Sequence, residues 1–272
     1  MGRFSFCIAM NLGINNRTAL VCASSKGLGR ACAEQLAAAG CRLIMCARNH
    51  EVLSATAADI RKAHGVEVVE VQADLSRSGE VDRVVAAGLK AFGTLDILVA
   101  NSGGPKPGSF FETDREDWLR AYESLLGYVV DLYRLVLPTM IKSRWGRVIN
   151  IASVVVKQPA PSLVLSNVFR TGVVALAKTL APELIRHNIT INNVCPGAFR
   201  TDRALQLMQD EATRRSVGLD VVEAERVRNL PAGRFQNPAE FGALVAFLAS
   251  DQAATLTGCT IQHDQGISQG LL

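Results

Sequence analysis

Short uninterrupted apolar runs alternate along this sequence with longer segments of helical periodicity, and that alternation restricts the possible folds more than any other feature. The run at 95–100 carries Ile-Leu-Val-Ala without an intervening polar residue. Runs of this kind are typical of parallel strands that are covered on both faces. Glycine follows several helical segments, as at Gly40 and Gly93, where it favours the end of a helix. The pattern predicts an α/β fold: a single Rossmann-type doubly wound parallel sheet of about seven strands with right-handed crossovers.

The individual elements are assigned from this alternation. Strands are predicted at 18–23, 42–46, 66–71, 95–100, 147–151, 190–194 and 256–262. Helices are predicted at 28–39, 50–64, 80–92, 114–142, 163–185 and 238–248. The charged helical segment at 201–230 interrupts the alternation, and we expect it to form a lid over the carboxyl ends of the strands.

Length and charge limit the domain count and the kinds of partner. The chain has 272 residues, within the range of one hydrophobic core, so 15–272 is predicted to be a single domain. Residues 1–14 are predicted to be a flexible extension, with Met10 as a functional start. The 29 basic and 25 acidic residues leave a net charge of +4, too weak a balance to indicate nucleic-acid binding. The apolar runs have strand length, which predicts no membrane span.

Cysteine and histidine usage indicates the compartment and the absence of a metal. The seven cysteines are an odd number and form no CxxC pair. This pattern is typical of reduced thiols in a cytoplasmic protein. The four histidines lie far apart in the sequence, whereas a zinc site needs clustered ligands, so no metal site is predicted.

A turn of small residues separates the first predicted strand from the first predicted helix. Gly27 and Gly29 let the backbone approach a phosphate, and the start of the helix supplies N–H groups and the positive end of its dipole. The context favours a nucleotide-binding turn, although an ordinary strand–helix turn gives a similar pattern. The candidate cofactor-binding residues here are Ala23, Ser24, Ser25, Lys26, Gly27, Leu28 and Gly29.

The turn and four further landmarks resemble the short-chain dehydrogenase/reductase family. The family's Thr-Gly-x-x-x-Gly-x-Gly corresponds to residues 22–29, with Ala23 in place of the first glycine, a change that is tolerated if Ala23 has a negative φ. The resemblance covers about residues 15–270, and the nearest branch is the 3-oxoacyl-carrier-protein reductase-like group. It implies that Asp74 and Leu75 contact the adenine and that Thr201 holds the nicotinamide carboxamide. The remaining landmarks are Asn101-Ser102-Gly103, Pro196-Gly197 and Asp264-Gln265-Gly266.

Charge at the end of the second predicted strand indicates which nicotinamide cofactor binds. NAD enzymes place an acidic residue there to bind the ribose 2′-hydroxyl. This chain has Ala47 there, followed by Arg48 and Asn49. With Lys26 in the turn, two cations and no carboxylate favour a 2′-phosphate, so NADP is the predicted cofactor. The alternative is that Arg48 is a solvated loop residue.

The catalytic positions depart from the family pattern. The family uses Asn, Ser, Tyr and Lys, and the resemblance aligns these with Leu125, Ser153, Ser166 and Arg170. An aliphatic hydroxyl is a far weaker acid than a phenol. Arginine stays charged, so it can hold ribose hydroxyls, as the family lysine does, and stabilise an oxyanion without shuttling protons. Lys157 is a candidate proton donor if it is desolvated beside Arg170, and the alternative is an exposed loop lysine.

The predicted function is that of an NADP-dependent oxidoreductase acting on a small carbonyl or alcohol substrate through the four site residues Ser153, Ser166, Arg170 and Lys157. Two alternatives stay open: a catalytically silent NADP-binding partner or sensor protein, and a non-redox enzyme on the same fold. The resemblance also implies a homotetramer or homodimer in which the helices at 114–142 and 163–185 pack across a two-fold axis. Of the other reactive side chains, Cys195 is expected to be buried at a strand end and Lys106 to be solvated.

Overall fold

A seven-stranded parallel sheet forms the centre of the molecule in the computed structural model, which describes residues 11–270. The spatial order is β3-β2-β1-β4-β5-β6-β7. Strands β2 and β3 extend the sheet on one side of β1, and β4 to β7 extend it on the other side, so the strand order reverses between β1 and β4. Ligands of doubly wound sheets bind at such a switch point, outside the carboxyl ends of the strands. The prediction of a doubly wound sheet of seven strands is confirmed. The strands are β1 (Thr18–Cys22), β2 (Arg42–Ala47), β3 (Val68–Gln72), β4 (Ile97–Ala100), β5 (Gly146–Ile151), β6 (Ile189–Pro196) and β7 (Thr260–His263).

Helices cover both faces of the sheet. Two of them end at glycines in the left-handed conformation, Gly65 with φ 67° and Gly93 with φ 73°, as their sequence positions predict. The helices are α1 (Gly27–Ala38), α2 (His50–His64), α3 (Glu80–Phe92), α4 (Arg115–Tyr122), α5 (Tyr128–Ser143), α6 (Val164–Leu184), α7 (Asp202–Arg215), α8 (Leu219–Arg228) and α9 (Pro238–Ala249).

Successive residues of the central strands feed two apolar layers. Val21 of β1 belongs to the layer that contains Leu36 of α1 and Phe241 of α9. Leu20, its neighbour in the chain, belongs to the opposite layer with Leu132 of α5 and Ala177 of α6. Because both faces of the sheet are buried, the strands read as continuous apolar runs rather than as alternating ones.

The predicted helix at 114–142 contains a π-helical turn, Glu123–Gly127, between α4 and α5. Apolar residues at three- and four-residue spacing predict one buried stripe, but this spacing does not reveal a locally wider turn. Such turns are frequent at functional sites, and this one holds Leu125, the residue aligned with the family asparagine.

The last strand is shorter than predicted. β7 covers Thr260–His263, whereas the predicted strand began at 256. The preceding residues contact β6 through irregular bonds: the Thr257 hydroxyl accepts from the Ile191 amide at 3.0 Å, and the Gly258 amide donates to the Ile191 carbonyl at 2.7 Å. Gly258 has φ 67°, which interrupts a regular ladder at this point.

The ordered body begins before the predicted boundary at residue 15. Ile14 is only 1% exposed and belongs to the apolar layer of α1 and α9. The Leu12 carbonyl accepts from the Asp251 amide at 3.0 Å. Residues 11–14 are therefore part of the domain, and that section of the predicted extension is wrong. The remainder of the extension, including Met10, lies outside the described residues.

Two helical stretches of the described region are long and apolar enough to cross a membrane by length and composition, Arg115–Ser143 and Val164–His187. In the fold, 50% and 28% of their most apolar windows are buried, respectively. Core helices of globular folds share these properties.

The segment at 201–230 is helical, as predicted. α7 and α8 pack around Met208, Ala212 and Val222, and they are joined by an ion pair between Arg215 and Glu225 at 2.7 Å. The chain enters and leaves this segment side by side. The Arg200 amide donates to the Gln236 carbonyl, and the Gln236 amide donates to the Ala198 carbonyl, both at 2.9 Å.

Candidate active site

The turn between β1 and α1 has the open backbone that a phosphate requires. Gly27 has φ 55°, and a Cβ placed there would contact the Thr201 side chain at 3.5 Å. Gly29 is packed so closely that a Cβ would collide with the Ala23 carbonyl oxygen and lie 2.9 Å from the Asn101 amide nitrogen. Glycine is therefore required at Gly29 for the helix to approach the turn. Thr201 and Asn101 therefore both lie close to this turn, at the carboxyl ends of the strands.

Ala23 adopts φ 48°, a left-handed conformation. The expected tolerance of alanine at this position depended on a negative φ, and that condition is not met. A residue with a Cβ in this region is destabilised by about 1–2 kcal/mol. The turn therefore keeps the shape that suits a glycine although alanine occupies it.

The other residues of the turn are held by β2 and α2. The Ser24 amide donates to the Cys46 carbonyl at 3.1 Å, and the Ser25 carbonyl accepts from the Thr56 hydroxyl at 2.9 Å. Lys26 is exposed in an extended conformation at the N-cap of α1. Leu28 packs against the apolar layer of α1 and α9. The turn thus exposes the cation of Lys26 to solvent and packs the side chain of Leu28 against the apolar layer.

A cavity of about 640 Å³ lies beyond the ends of β2 and β3. It is lined by two residues that the sequence predicts, Arg48 and Asp74, and by two arginines that sequence reasoning missed, Arg77 and Arg83. These arginines lie in α3 and in the loop before it, where the sequence offered no landmark. Arg83 pairs with Glu80 at 2.7 Å and Arg77 lies 3.8 Å from Asp74, so Arg48 is the guanidinium of this lining that is left to bind an anionic group such as a ribose phosphate.

Asp74 remains ionised at this cavity. Partial burial alone raises its pKa, but two hydrogen bonds from Ser76 and the charges of Arg48 and Arg77 outweigh burial, and the net pKa is lowered. Leu75 is half-buried beside it and packs against the layer that contains α5. Asn49, a further predicted cofactor residue, caps α2 by accepting from the Val52 amide at 2.9 Å.

The ends of β4 and β6 form the opposite side of the site. Asn101 and Ser102 are half-buried, and Gly103 is exposed at the start of the loop that follows β4. Pro196 ends β6, and a Cβ on Gly197 would lie 2.5 Å from the Asp264 Cα, so this glycine is needed for close approach of the two segments.

Ser153, Ser166 and Arg170 lie around the end of β5. Ser153 is half-buried and its Oγ accepts from the Val155 amide at 3.4 Å, which leaves its hydroxyl hydrogen available to donate. Ser166 is 5% exposed on the first turn of α6. Arg170, one turn later, donates from Nη1 to the Ile151 carbonyl at 2.8 Å. The guanidinium is thereby directed at the carboxyl end of β5.

Lys157 and Cys195 belong to the same surroundings. Lys157 is half-buried after the short helical turn Val154–Val156. Cys195 is fully buried near the end of β6, as expected. Burial raises the pKa of its thiol to about 11, and the Ser153 amide and the charges of Lys157 and Arg170 oppose that rise.

Tyr128 is a candidate active-site residue that sequence reasoning missed. It is the first residue of α5, is buried at 4% exposure, and shares an apolar layer with Cys22 and Ala100. Burial raises the pKa of its phenol, while the charge of Arg170 and a bond to Ser102 oppose the rise. The phenol therefore lies near Arg170. The sequence offered one signal for this residue. Leu125 replaces the family asparagine, and an aromatic residue stands three positions after it.

Leu125, which the resemblance aligns with the family asparagine, lies in a small apolar cluster. It is 2% exposed and packs with Ala121 of α4 and Leu165 of α6. An apolar side chain at this position cannot order water by hydrogen bonding.

The loop after β4 is fixed to α4 and α6. Lys106 is 55% exposed, as expected, and its Nζ also binds Asp117 at 2.7 Å. The Gly108 amide donates to the Ser162 carbonyl at 2.7 Å, which joins this loop to the segment that precedes α6. Sequence spacing gives no indication of either contact.

Comparison with known proteins agrees with this architecture. A sequence model of the family described as enoyl-(acyl carrier protein) reductase matches residues 22–268. The 3-oxoacyl-(acyl-carrier-protein) reductase of Haemophilus influenzae is 32% identical over 257 residues, which cover 93% of this chain and 99% of that protein. L-sorbose reductase from Gluconobacter frateurii, solved with NADPH and L-sorbose, has a TM-score of 0.92 at 29% identity, over 96% of this chain and 100% of that one. Actinorhodin polyketide ketoreductase, solved with NADPH, has a TM-score of 0.88 at 32% identity, over 93% and 98%.

These similarities extend over nearly the whole length of both partners. The range that the family model matches, residues 22–268, includes the glycine turn and the segments that carry the candidate site. The chain belongs to the short-chain dehydrogenase/reductase family, a family of nicotinamide-dependent oxidoreductases.

Proposed function

We propose that the protein is an NADP-dependent reductase of small carbonyl compounds, or in reverse an NADP-dependent alcohol dehydrogenase, with a non-standard proton donor. The observation that carries the proposal is the position of Arg170: its guanidinium donates to the Ile151 carbonyl at the end of β5 at 2.8 Å, two residues before Ser153 in the chain. The open turn between β1 and α1 and the cavity beside Arg48 support a nucleotide cofactor next to it.

The chain's own residues fit NADP at both ends of the dinucleotide. The open turn at Gly27 and the start of α1 receive the pyrophosphate, and Arg48 beside the 640 Å³ cavity receives the 2′-phosphate. Asp74 holds the adenine side, and Thr201 holds the carboxamide side. The nicotinamide, when bound, supplies or accepts a hydride at its C4 carbon.

Ser153 and Arg170 are the groups that stabilise charge on the substrate oxygen. As negative charge develops there, Ser153 donates a hydrogen bond and Arg170 supplies a fixed positive charge in a partly buried site. The proton comes through the Ser166 hydroxyl or from Lys157. Loss of a matched general acid is worth about 10²–10⁴-fold in rate, so we expect turnover that is slow but measurable.

Oxidation of NADPH, followed by absorbance across aldehydes, ketones and 3-oxoacyl thioesters, tests the proposal. Turnover that falls at least tenfold on Ser153→Ala supports it. Tight NADPH binding without turnover on any of these substrates contradicts it.

The catalytically silent alternative is favoured by one observation: Leu125 fills the asparagine position and packs against Leu165. The double change Ser166→Tyr with Arg170→Lys distinguishes the two readings. If it creates reductase activity in a chain that has none, the natural protein is redox-silent towards that substrate. If it lowers an existing activity, the natural residues are the working catalytic set.

We also propose a homodimer or homotetramer in which α4 and α6 pack across a two-fold axis. Large apolar side chains stand exposed on and next to these helices, with Phe111 94%, Phe110 60%, Leu119 53% and Val168 48% exposed. Exposed clusters of this kind mark interaction surfaces. Light scattering after size exclusion tests this, and a monomer at micromolar concentration contradicts it.

A further inference from the structure

The loop at 157–162, which contains two prolines, joins two parts of the candidate site. It leads from the turn after Ser153 to the start of α6, which carries Ser166. Its middle reads Pro159-Ala160-Pro161. Proline has no backbone N–H, so Ala160 holds the only backbone donor of these three residues. A partner for that donor fixes the loop.

Asn167 supplies that partner from the first turn of α6. Its Oδ1 accepts from the Ala160 amide at 3.4 Å, and its Nδ2 donates to the Ala160 carbonyl at 2.9 Å. One side-chain amide thus pairs with both polar backbone groups of one residue. In the sequence, Asn167 stands directly after Ser166 and three residues before Arg170.

The same loop also bonds to the loop after β4 and to the C-terminal segment, which border the site. The Ser162 carbonyl accepts from the Gly108 amide at 2.7 Å, and the Gln158 side chain accepts from the Gln269 amide at 3.1 Å. Lys157 stands at the start of the loop, four residues after Ser153. A shift of this loop therefore displaces Lys157, the loop after β4 and the C-terminal segment together.

We propose that Asn167 is a positioning residue that fixes the substrate-facing wall of the site by pinning Ala160 to α6. It sets where Lys157 and the loop after β4 stand relative to Ser166 and Arg170, and it does not touch the reacting atoms. The consequence for substrate affinity rests on the proposed reductase function. The pinning itself does not depend on turnover.

Hydrogen exchange measured by mass spectrometry tests the pinning without any substrate. In Asn167→Ala, peptides covering 157–163 should exchange at least about tenfold faster, because two hydrogen bonds are lost. Ser143→Ala is the matched control: it removes side-chain bonds to the Met140 and Trp145 carbonyls just before the amino end of β5, whereas the candidate site lies at the carboxyl ends of the strands. Exchange in 157–163 should be unchanged in that variant.

Kinetics test the consequence for the site. With a reducible substrate, Asn167→Ala should raise the substrate KM about tenfold and leave the Kd for NADPH within about twofold. Asn167→Asp keeps the acceptor for the Ala160 amide, but its carboxylate repels the Ala160 carbonyl. Its activity relative to the natural protein should recover as pH falls towards about 4–5, where the carboxyl regains a proton to donate.

The outcomes separate the two proposals. Unchanged exchange in Asn167→Ala overturns the role of Asn167 whatever the activity. Faster exchange with unchanged KM, or an Asn167→Asp profile parallel to the natural one, overturns it as well. Faster exchange in a protein that reduces no substrate supports the pinning while the reductase proposal fails.

Discussion

The left-handed Ala23 makes a quantitative prediction about stability. With φ 48°, its Cβ lies in a region that disfavours L-residues by about 1–2 kcal/mol. Ala23→Gly removes this strain but adds about 0.5–1 kcal/mol of backbone entropy to the unfolded chain. The net expectation is an increase of about 0.5–1 kcal/mol in the free energy of unfolding, or about 1–3 °C in Tm for a chain of this size.

A matched substitution separates strain from glycine entropy. Ala254 has φ −60° after a short helical turn, so Ala254→Gly carries the entropy term without any relief of strain. It should lower the free energy of unfolding by about 0.5–1 kcal/mol. Urea unfolding of both variants, followed by fluorescence of the two tryptophans, measures the difference.

The two variants should move in opposite directions and differ by about 1–2 kcal/mol, which is the energy of the left-handed conformation. Equal destabilisation by both would show that Ala23 is not strained and would refute the reasoning. Affinity for NADPH in Ala23→Gly should be equal or higher, because the variant removes only one methyl group from the turn.

Three other substitutions have defined outcomes. Arg48→Ala should weaken NADPH binding about tenfold and leave NADH binding nearly unchanged in fluorescence titrations, and equal loss for both would exclude a role at the 2′-phosphate. Gly29→Ala should abolish binding of either nucleotide, because the added Cβ collides with the backbone of the turn; calorimetry checks this. The pKa of Asp117 is lowered to about 2, chiefly by its bond to Lys106, so the unfolded state binds more protons between about pH 4 and 2. Stability should therefore fall as pH drops through that window, and Asp117→Asn should flatten the fall in acid-unfolding curves.

The sequence predicts the sheet well because burial on both faces leaves a simple pattern. The continuous apolar runs of β1, β2 and β4 and the glycines after α2 and α3 each have one local physical cause, which is visible in a window of a few residues. The interruption at Glu123–Gly127 has no such local sign, since a wider turn preserves the apolar spacing around it.

Sequence predicts those parts of the candidate site that depend on the identity of a residue. It misses those that depend on which distant segments come together in the fold. Ala23 shows the limit: its identity is plain, but its φ is set by the packing of Gly29 against it. Arg77 and Tyr128 reach the site from elements whose orientation follows only from the assembled layers. The bond from Arg170 to Ile151 joins residues 19 positions apart and is likewise a product of tertiary packing.

The π-helical turn at Glu123–Gly127 orients the helical segments before and after it towards different neighbours. A π turn accommodates one residue more than an α turn, so the two halves are out of phase by about 100°. Ala121 and Leu125 consequently face α6, while Leu132 and Val136 face the sheet. Deleting any one residue of the turn would bring the halves into phase and make one of the two interfaces impossible. The length of this turn is therefore more constrained than the identity of any single side chain within it.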